Sequence, residues 1–246
     1  DDGVLIVRLN RPQKKNALTP EMYAVLGDAI EQAEQQNRIR VILFTGTDGV
    51  FTAGNDMADF LTNQSNDPDR PVNRFIRKMS TTDVPLMAAV DGLAIGIGTT
   101  MLLHFDQVFA TERARFSLPF VNIGVVTEAG SSLQLVEICG YQKAAELLLL
   151  GEPFSAREAH DCGIVARLCG EDALLQDALA FAHKLAAKPR QALRATKRLM
   201  RRPSEPLLDR VEAEGELFFQ NLGSPAAQEI IAAFIEKRAP DVSKFD

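Results

Sequence analysis

Two short, wholly apolar runs limit the fold more than any other feature: Val41-Ile42-Leu43-Phe44 and Leu86-Met87-Ala88-Ala89-Val90. A strand with one wet face alternates polar and apolar residues, and neither run does. Both therefore read as strands covered on two sides, as in a parallel sheet layered between helices. Val4-Leu5-Ile6-Val7-Arg8-Leu9 reads as an earlier strand, ended by Arg11-Pro12. Between it and Val41 lies a helix start: Thr19 as N-cap, Pro20 at the first helical position and Glu21 toward the dipole. Met22, Val25, Leu26, Ala29, Ile30 and Ala33 then recur on one face. Strand, helix, strand in that order predicts a right-handed crossover.

Further along, residues 62–73 are polar with two prolines and read as a mobile surface loop. A glycine-rich turn, Gly92 to Gly98, leads into a helix over Thr99–His104. Gln107–Ala110 and Ala114–Ser117 read as short strands. From about residue 130 the strand signals mostly vanish, and helices are predicted near 131–139, 142–150, 156–161, 172–187, 190–201, 206–221 and 225–238. Ser155-Ala156-Arg157-Glu158 is a capping box. Gly140, Gly151, Gly163 and Gly223 sit where helices should stop. The expected organisation is an α/β core followed by a helical C-terminal part.

Composition narrows the function. The 27 basic and 33 acidic side chains leave a net charge of −6, the wrong sign for a nucleic-acid wrapper. The basic run Lys197-Arg198 with Arg201-Arg202 reads as a solvated helix face. No apolar stretch has the length of a membrane span, and no signal peptide is visible, so a cytoplasmic protein is expected. Cys139, Cys162 and Cys169 are odd in number with no CxxC spacing, which points to small, partly buried residues in a reducing compartment. His104, His160 and His183 show no ligand spacing, so no metal is expected; His104 reads as a core or hydrogen-bonded histidine. Asp106 reads as a cap of the next turn, and Ser131-Ser132 lack a GxSxG elbow around them.

Two segments share a chemical logic. In Phe51-Thr52-Ala53-Gly54-Asn55-Asp56-Met57, small residues after a buried strand let the chain pass close to a ligand, with the Ala53 N–H outward. In Leu93-Ala94-Ile95-Gly96-Ile97-Gly98-Thr99, a glycine turn opens a helix whose first N–H groups lack internal partners. Two such groups converging from different turns make an oxyanion hole; two ordinary glycine turns are the plainer alternative.

These segments, with Asn10-Arg11-Pro12 and Asn16-Ala17-Leu18 before them, resemble the crotonase family, the enoyl-CoA hydratase/isomerase superfamily. Tyr141–Gly163 is similar to its helical linker and Phe234-Ile235-Glu236-Lys237-Arg238 to its C-terminal helix. The likeness runs in order along essentially the whole chain. It implies an α/β fold, a spiral of ββα units with a helical C-terminal trimerisation region, here 1–190 and 191–246. It implies an acyl-CoA thioester substrate, no cofactor beyond that coenzyme A, no nucleic-acid or membrane partner, and a homotrimer or dimer of trimers. The oxyanion donors become the N–H groups of Ala53 and Ile97; the second position is more often glycine in the family, and Ile97 adds a branched side chain that narrows the acyl pocket. Lys15, Asn16, Ala17, Asn55, Asp56, Met57 and Gly96 are implied in substrate binding, with Lys14 and Lys15 toward phosphates and Asp56 and Met57 beside the adenine. Phe234 and Lys237 are implied at a CoA site, against a packing role for that apolar stripe.

The carboxylates decide the reaction. Typical hydratases of the family carry a glutamate just after the second oxyanion segment and another after a proline in the next strand and turn. The matching positions are Thr100 and Phe120, after Pro119, so both hydratase acids are missing. Glu128 remains, in Val125-Val126-Thr127-Glu128-Ala129-Gly130-Ser131-Ser132. Burial would raise its pKa, while the helix dipole and nearby Ser hydroxyls would lower it. The resemblance also implies Thr100, Pro119, Phe120 and Thr127 in substrate binding. The segment resembles the Glu motif of the family's Δ3,Δ2-enoyl-CoA isomerases, which implies Glu128 as the single base of an enoyl-CoA isomerase. Alternatives are an aryl-CoA dehalogenase, a weak hydratase and a catalytically silent family member.

Overall fold

The computed structural model describes residues 2–58 and 67–245. Five parallel strands form the main sheet, in the order β1 (Val4–Arg8), β2 (Val41–Thr45), β3 (Leu86–Val90), β5 (Gln107–Thr111), β8 (Arg167–Cys169). The unbroken apolar runs have the predicted cause. Val41, Leu43, Met87, Ala89 and Phe109 face one way, onto Leu174, Ala178 and Ala182 of the helix Leu174–Ala186. Ile42, Phe44, Leu86, Ala88, Val90 and Val108 face the other way, into a core shared with Leu26 and Ile30 of the helix Pro20–Gln35. Register joins the strands residue by residue, Leu43 to Met87 and Ala89 to Phe109. The Thr19 cap holds, its hydroxyl accepting from the Met22 N–H.

A second sheet has the order β4 (Leu93–Ile95), β6 (Arg115–Ser117), β7 (Phe154–Ser155). It corrects the expectation of a plain glycine turn: Leu93-Ala94-Ile95 pair in parallel with Arg115–Ser117, and the helix begins earlier, at Ile97, continuing as a 3₁₀ turn over Met101–His104. Strands β7 and β8 lie in the gaps between predicted helices, where no strand is expected.

The expected loop over 62–73 needs correction as well. Residues 62–66 lie outside the described residues, but Pro71 opens a helix, Pro71–Thr81. Phe75 and Met79 bury fully, while Arg74 pairs with Asp28 and Glu31, and Lys78 with Glu34, on Pro20–Gln35. The two helices predicted at 131–139 and 142–150 follow each other within Ser131–Leu150, separated by the non-helical Gly140 (φ 76°, ψ 160°), as expected of a helix stop there. The capping box at Ser155 makes both of its reciprocal bonds. Helices Arg190–Met200, Leu207–Leu222 and Pro225–Ile235 complete the C-terminal part.

The basic run is a solvated face in part: Arg198, Arg201 and Arg202 are exposed, but Lys197 is not. Lys197 is 5% exposed and donates to the Val84 carbonyl (2.6 Å) and to Asp106 (2.7 Å). Burial brings its ammonium down to about 8, against the pull of Asp106. Asp106 also accepts from the Leu86 N–H (2.7 Å), so it clamps the start of β3 rather than capping a turn. Arg198 meets Asp83, and Arg201 reaches the Met79, Thr82 and His104 carbonyls. These cations tether the C-terminal helices to the sheet. Among the described residues no helix is long and apolar enough to cross a membrane, and no cluster of three or more metal-binding side chains occurs.

Candidate active site

β2 and β3 are parallel neighbours, so the segments that follow them leave the same carboxyl edge of the sheet, where α/β folds place their ligands. Backbone bonds lock the two segments together. The Thr52 N–H donates to the Leu93 carbonyl (2.8 Å), and the Ile95 N–H to the Thr52 carbonyl (3.1 Å). Glycine makes that approach possible. Gly54 has φ +91°, and a side chain there would meet the Ile95 carbonyl at 2.7 Å; one at Gly98 would meet the Thr52 methyl at 2.6 Å.

The two expected N–H donors differ. Ile97 opens the short helix from Gly96, and among the described residues no backbone carbonyl accepts its N–H. Its side chain is 1% exposed and packs inward. The Ala53 N–H, expected to point outward, instead donates to the Lys15 carbonyl (2.9 Å). Lys15 and Asn16 are both left-handed (φ +50° and +56°), and this paired turn swings the carbonyl onto Ala53. Nothing in side-chain pattern signals it.

Glu128 reaches the second segment from the far side. Thr100, fully buried on the Ile97 helix, donates its hydroxyl to Glu128 Oε1. Oε2 is buried with no hydrogen-bond partner among the described residues. Burial pushes the carboxyl up to about 7, with the Thr100 bond acting in the opposite sense. The sequence left that direction open, and burial wins because the local hydroxyls are spent elsewhere. Ser131 Oγ donates to the Glu128 main-chain carbonyl (2.7 Å), beside the Ser131 N–H (3.1 Å), and Thr127 bonds to Ser131. Ser131 is thus a buried clamp rather than a nucleophile. Phe120 is 7% exposed, and its ring edge lies 3.9 Å from the point a Gly96 side chain would occupy. Pro119 is half-buried beside it, with its backbone against Gly151.

The residues implied in coenzyme binding divide. Asn16 is fully buried, and its side chain is consumed internally: Oδ1 accepts from the Arg11 N–H and Thr47 Oγ1, and Nδ2 donates to the Thr47 and Val50 carbonyls. The Asn16 side chain thus acts as a bolt that holds the Lys15–Asn16 turn. Asp56 is paired with Arg11 (2.7 Å), whose guanidinium holds the carboxyl below its usual range and also donates to the Ala17 carbonyl (3.2 Å). Asn55 Oδ1 accepts from the Tyr23 hydroxyl. Arg11 and Tyr23 thus shape the first segment; Arg11 stood in a quoted motif without a role, and Tyr23 carried no signal. Lys14, Lys15 and Met57 are exposed. Phe234 (83% exposed) and Lys237 are exposed at the end of Pro225–Ile235, and no described contact joins them to Glu128.

Comparison with known proteins agrees with this geometry. The profile of the enoyl-CoA hydratase/isomerase family matches residues 1–244. The chain is 31% identical to 1,2-epoxyphenylacetyl-CoA isomerase of Escherichia coli K12, over 98% of this chain and 95% of that protein. It is 34% identical to 2,3-dehydroadipyl-CoA hydratase of the same organism, over 97% and 94%. A solved structure from Magnetospirillum magneticum AMB-1, described as an enoyl-CoA hydratase/carnithine racemase, superposes with a TM-score of 0.95 at 45% identity, covering 99% of this chain and 96% of that one. The paired turns on the carboxyl edge of a parallel sheet and a match along nearly the whole chain give one answer: this protein belongs to the enoyl-CoA hydratase/isomerase, or crotonase, family.

Proposed function

We propose that the protein is an enoyl-CoA isomerase that moves a 3-enoyl thioester double bond into conjugation, with Glu128 as its only proton carrier. The observation that carries this reading is the Glu128 carboxyl. It is the acid joined to the oxyanion turn, one oxygen is held by Thr100, and the other is buried and unpartnered. A carboxyl held at about 7 both takes and returns a proton near neutral pH. Thr100 and Phe120 stand where the family's hydratases carry acids, so the second acid that water addition uses has no counterpart at these positions.

In the proposed reaction Glu128 Oε2 takes a proton from C2. The C–H pair becomes the C1=C2 bond of a dienolate as the carbonyl π pair moves onto the thioester oxygen. When that oxygen re-forms the carbonyl, the C1=C2 pair shifts to C2=C3 and the old C3=C4 pair takes the returning proton at C4. The Ile97 N–H donates to that oxygen, and the Ala53 N–H joins it by leaving or sharing the Lys15 carbonyl. Collapse of the dienolate carries the protonated carboxyl's hydrogen to C4, giving the 2-enoyl thioester with no net change in atoms or charge. Phe120 offers no hydrogen bond to a water beside the acyl chain, which disfavours hydration.

The substrate would be an acyl-CoA thioester, with no cofactor beyond that coenzyme A and exposed Lys14 and Lys15 available to its phosphates. The exposed apolar side chains Phe218, Phe219, Phe234 and Ile235 suit burial against further copies of the chain, as a homotrimer or dimer of trimers. Sedimentation of the purified protein as a monomer would remove that part.

The test follows the conjugated thioester by ultraviolet absorbance, supplying 3-enoyl-CoA and 2-enoyl-CoA in parallel to wild type and Glu128→Gln. Conjugated product with wild type alone supports the isomerase. Loss of 2-enoyl-CoA to water addition, untouched by Glu128→Gln, makes it a hydratase with its acids elsewhere.

A further inference from the structure

The contact between His104 and the Glu128 loop has no place in the chemistry above. His104 is 6% exposed, and its Nε2 lies 2.7 Å from the Ala129 carbonyl. A carbonyl only accepts, so the proton sits on Nε2. Nδ1 lies 3.3 Å from the Gln134 amide nitrogen, which donates to it. A neutral imidazole protonated on Nε2 satisfies both bonds with the Gln134 amide oriented as it stands, its Oε1 buried and unpartnered among the described residues. The surroundings agree. Burial lowers the pKa of the ring, and the Ala129 carbonyl opposes this, while the nearby cations Arg201 and Lys197 lower it further. Arg201 also donates to the His104 main-chain carbonyl.

What His104 holds is a turn that resists its own geometry. Ala129 has φ +53° and Gly130 φ +71°, two successive left-handed residues, and a side chain disfavours that region at Ala129. Glu128 is the residue before this turn, so the turn sets where its carboxyl points. Thr100 and His104 lie four residues apart on one short helical stretch, the first gripping the carboxyl and the second the backbone beyond it.

We propose that His104 is a positioning residue for Glu128: as a neutral Nε2–H donor it fixes the Ala129 peptide and so aims the Glu128 carboxyl at the reacting carbons. This rests on the reading of Glu128 as the proton carrier.

The experiment compares His104→Leu, His104→Gln and Gln134→Leu with wild type and Glu128→Gln, each checked by thermal melting and assayed with 3-enoyl-CoA across pH. Glutamine places an N–H donor where Nε2 stands; leucine does not. His104→Leu is expected to lower kcat by about 10- to 100-fold, the scale of a misplaced catalytic group, with KM nearly unchanged. His104→Gln should restore most of it, and Gln134→Leu should show a smaller loss in the same direction. The acid limb of kcat/KM should move to lower pH in His104→Leu, as the carboxyl gains access to water, and return in His104→Gln. A loss of folding alone would lower the amount of active protein without moving that limb. The proposal is overturned by wild-type kcat in His104→Leu, or by His104→Gln falling as far as leucine. Should His104→Leu not fold, Gln134→Leu decides: a lowered kcat supports the role, and an unchanged kcat and acid limb overturn it. Wild-type turnover in Glu128→Gln would instead sink the underlying reading, whatever the His104 variants do.

Discussion

Two glutamates in this protein, Glu229 buried as a residue and Glu128 half-buried with an enclosed Oε2, have opposite fates. Glu229, 6% exposed on the C-terminal helix Pro225–Ile235, accepts from Arg238, from Lys244 (2.8 Å) and from the Asp241 N–H (2.9 Å). Those donors, Arg238 first, hold its carboxyl far below the usual carboxylate range. Glu128 has a single neutral donor among the described residues, Thr100, and burial raises it to about 7. Enclosure by itself therefore does not set the proton affinity of a carboxyl; the supply of donors does. Glu229 is a fastener of the tail, permanently charged. Glu128 is left short of partners, which costs stability and makes it able to exchange a proton.

The comparison breaks most sharply on the rate. Glu128→Gln should cut isomerisation by roughly 10²- to 10⁴-fold, the range for losing a general base, while acyl-CoA binding measured by calorimetry persists. The same substitution sharpens it in stability. A group whose folded pKa lies above its unfolded value contributes stability below the unfolded pKa, about 4.5 here, and loses it as pH rises through about 7. Glu128→Gln should thus be more stable than wild type at pH 8 by roughly 1–3 kcal/mol in urea titrations, with the difference gone at pH 4. A difference independent of pH would mean that Glu128 is not held out of water.

Thr100→Val removes the one donor. The carboxyl should then rise further, shifting the acid limb of kcat/KM to higher pH, with kcat reduced about tenfold, the equivalent of one hydrogen bond to a charged group. The smallest effect is expected at Glu229→Gln, because Arg238 and Lys244 are 42% and 48% exposed and return to water. Its contribution has the opposite sign to that of Glu128: present above the unfolded carboxylate value and lost as pH falls below it. Glu229→Gln should lower the melting temperature slightly at pH 7, with the gap closing in acid.

Much of this was legible before any coordinates. The unbroken apolar runs marked β2 and β3 as buried on both faces, and Thr19-Pro20-Glu21 and Ser155–Glu158 marked helix starts by bonds that do form. Glu128 stood out because Thr100 and Phe120 replace acids in a recognisable pattern. The rest was hidden for physical reasons. β4, β7 and β8 are two or three residues long, too short for alternation to register. Pro71–Thr81 buries only Phe75 and Met79 and otherwise carries polar and charged residues, so its apolar face is narrow. Lys197 reads as solvent-facing by type, and its burial is explained by Asp106 and the Val84 carbonyl, 91 and 113 positions away in sequence. The Lys15 carbonyl on Ala53 depends on two backbone angles that residue identity does not announce.

The buried Oε2 of Glu128 has a consequence for isotopes. With no protein partner there among the described residues to trade hydrogen with, a nucleus lifted from the substrate exchanges only as fast as water reaches that oxygen. In the proposed reaction a deuterium placed at C2 would reappear at C4 of the same molecule, even in ordinary water. The product would carry a memory of its own label, and the retained fraction, read by mass spectrometry, would measure how seldom the carboxyl meets solvent during one turnover.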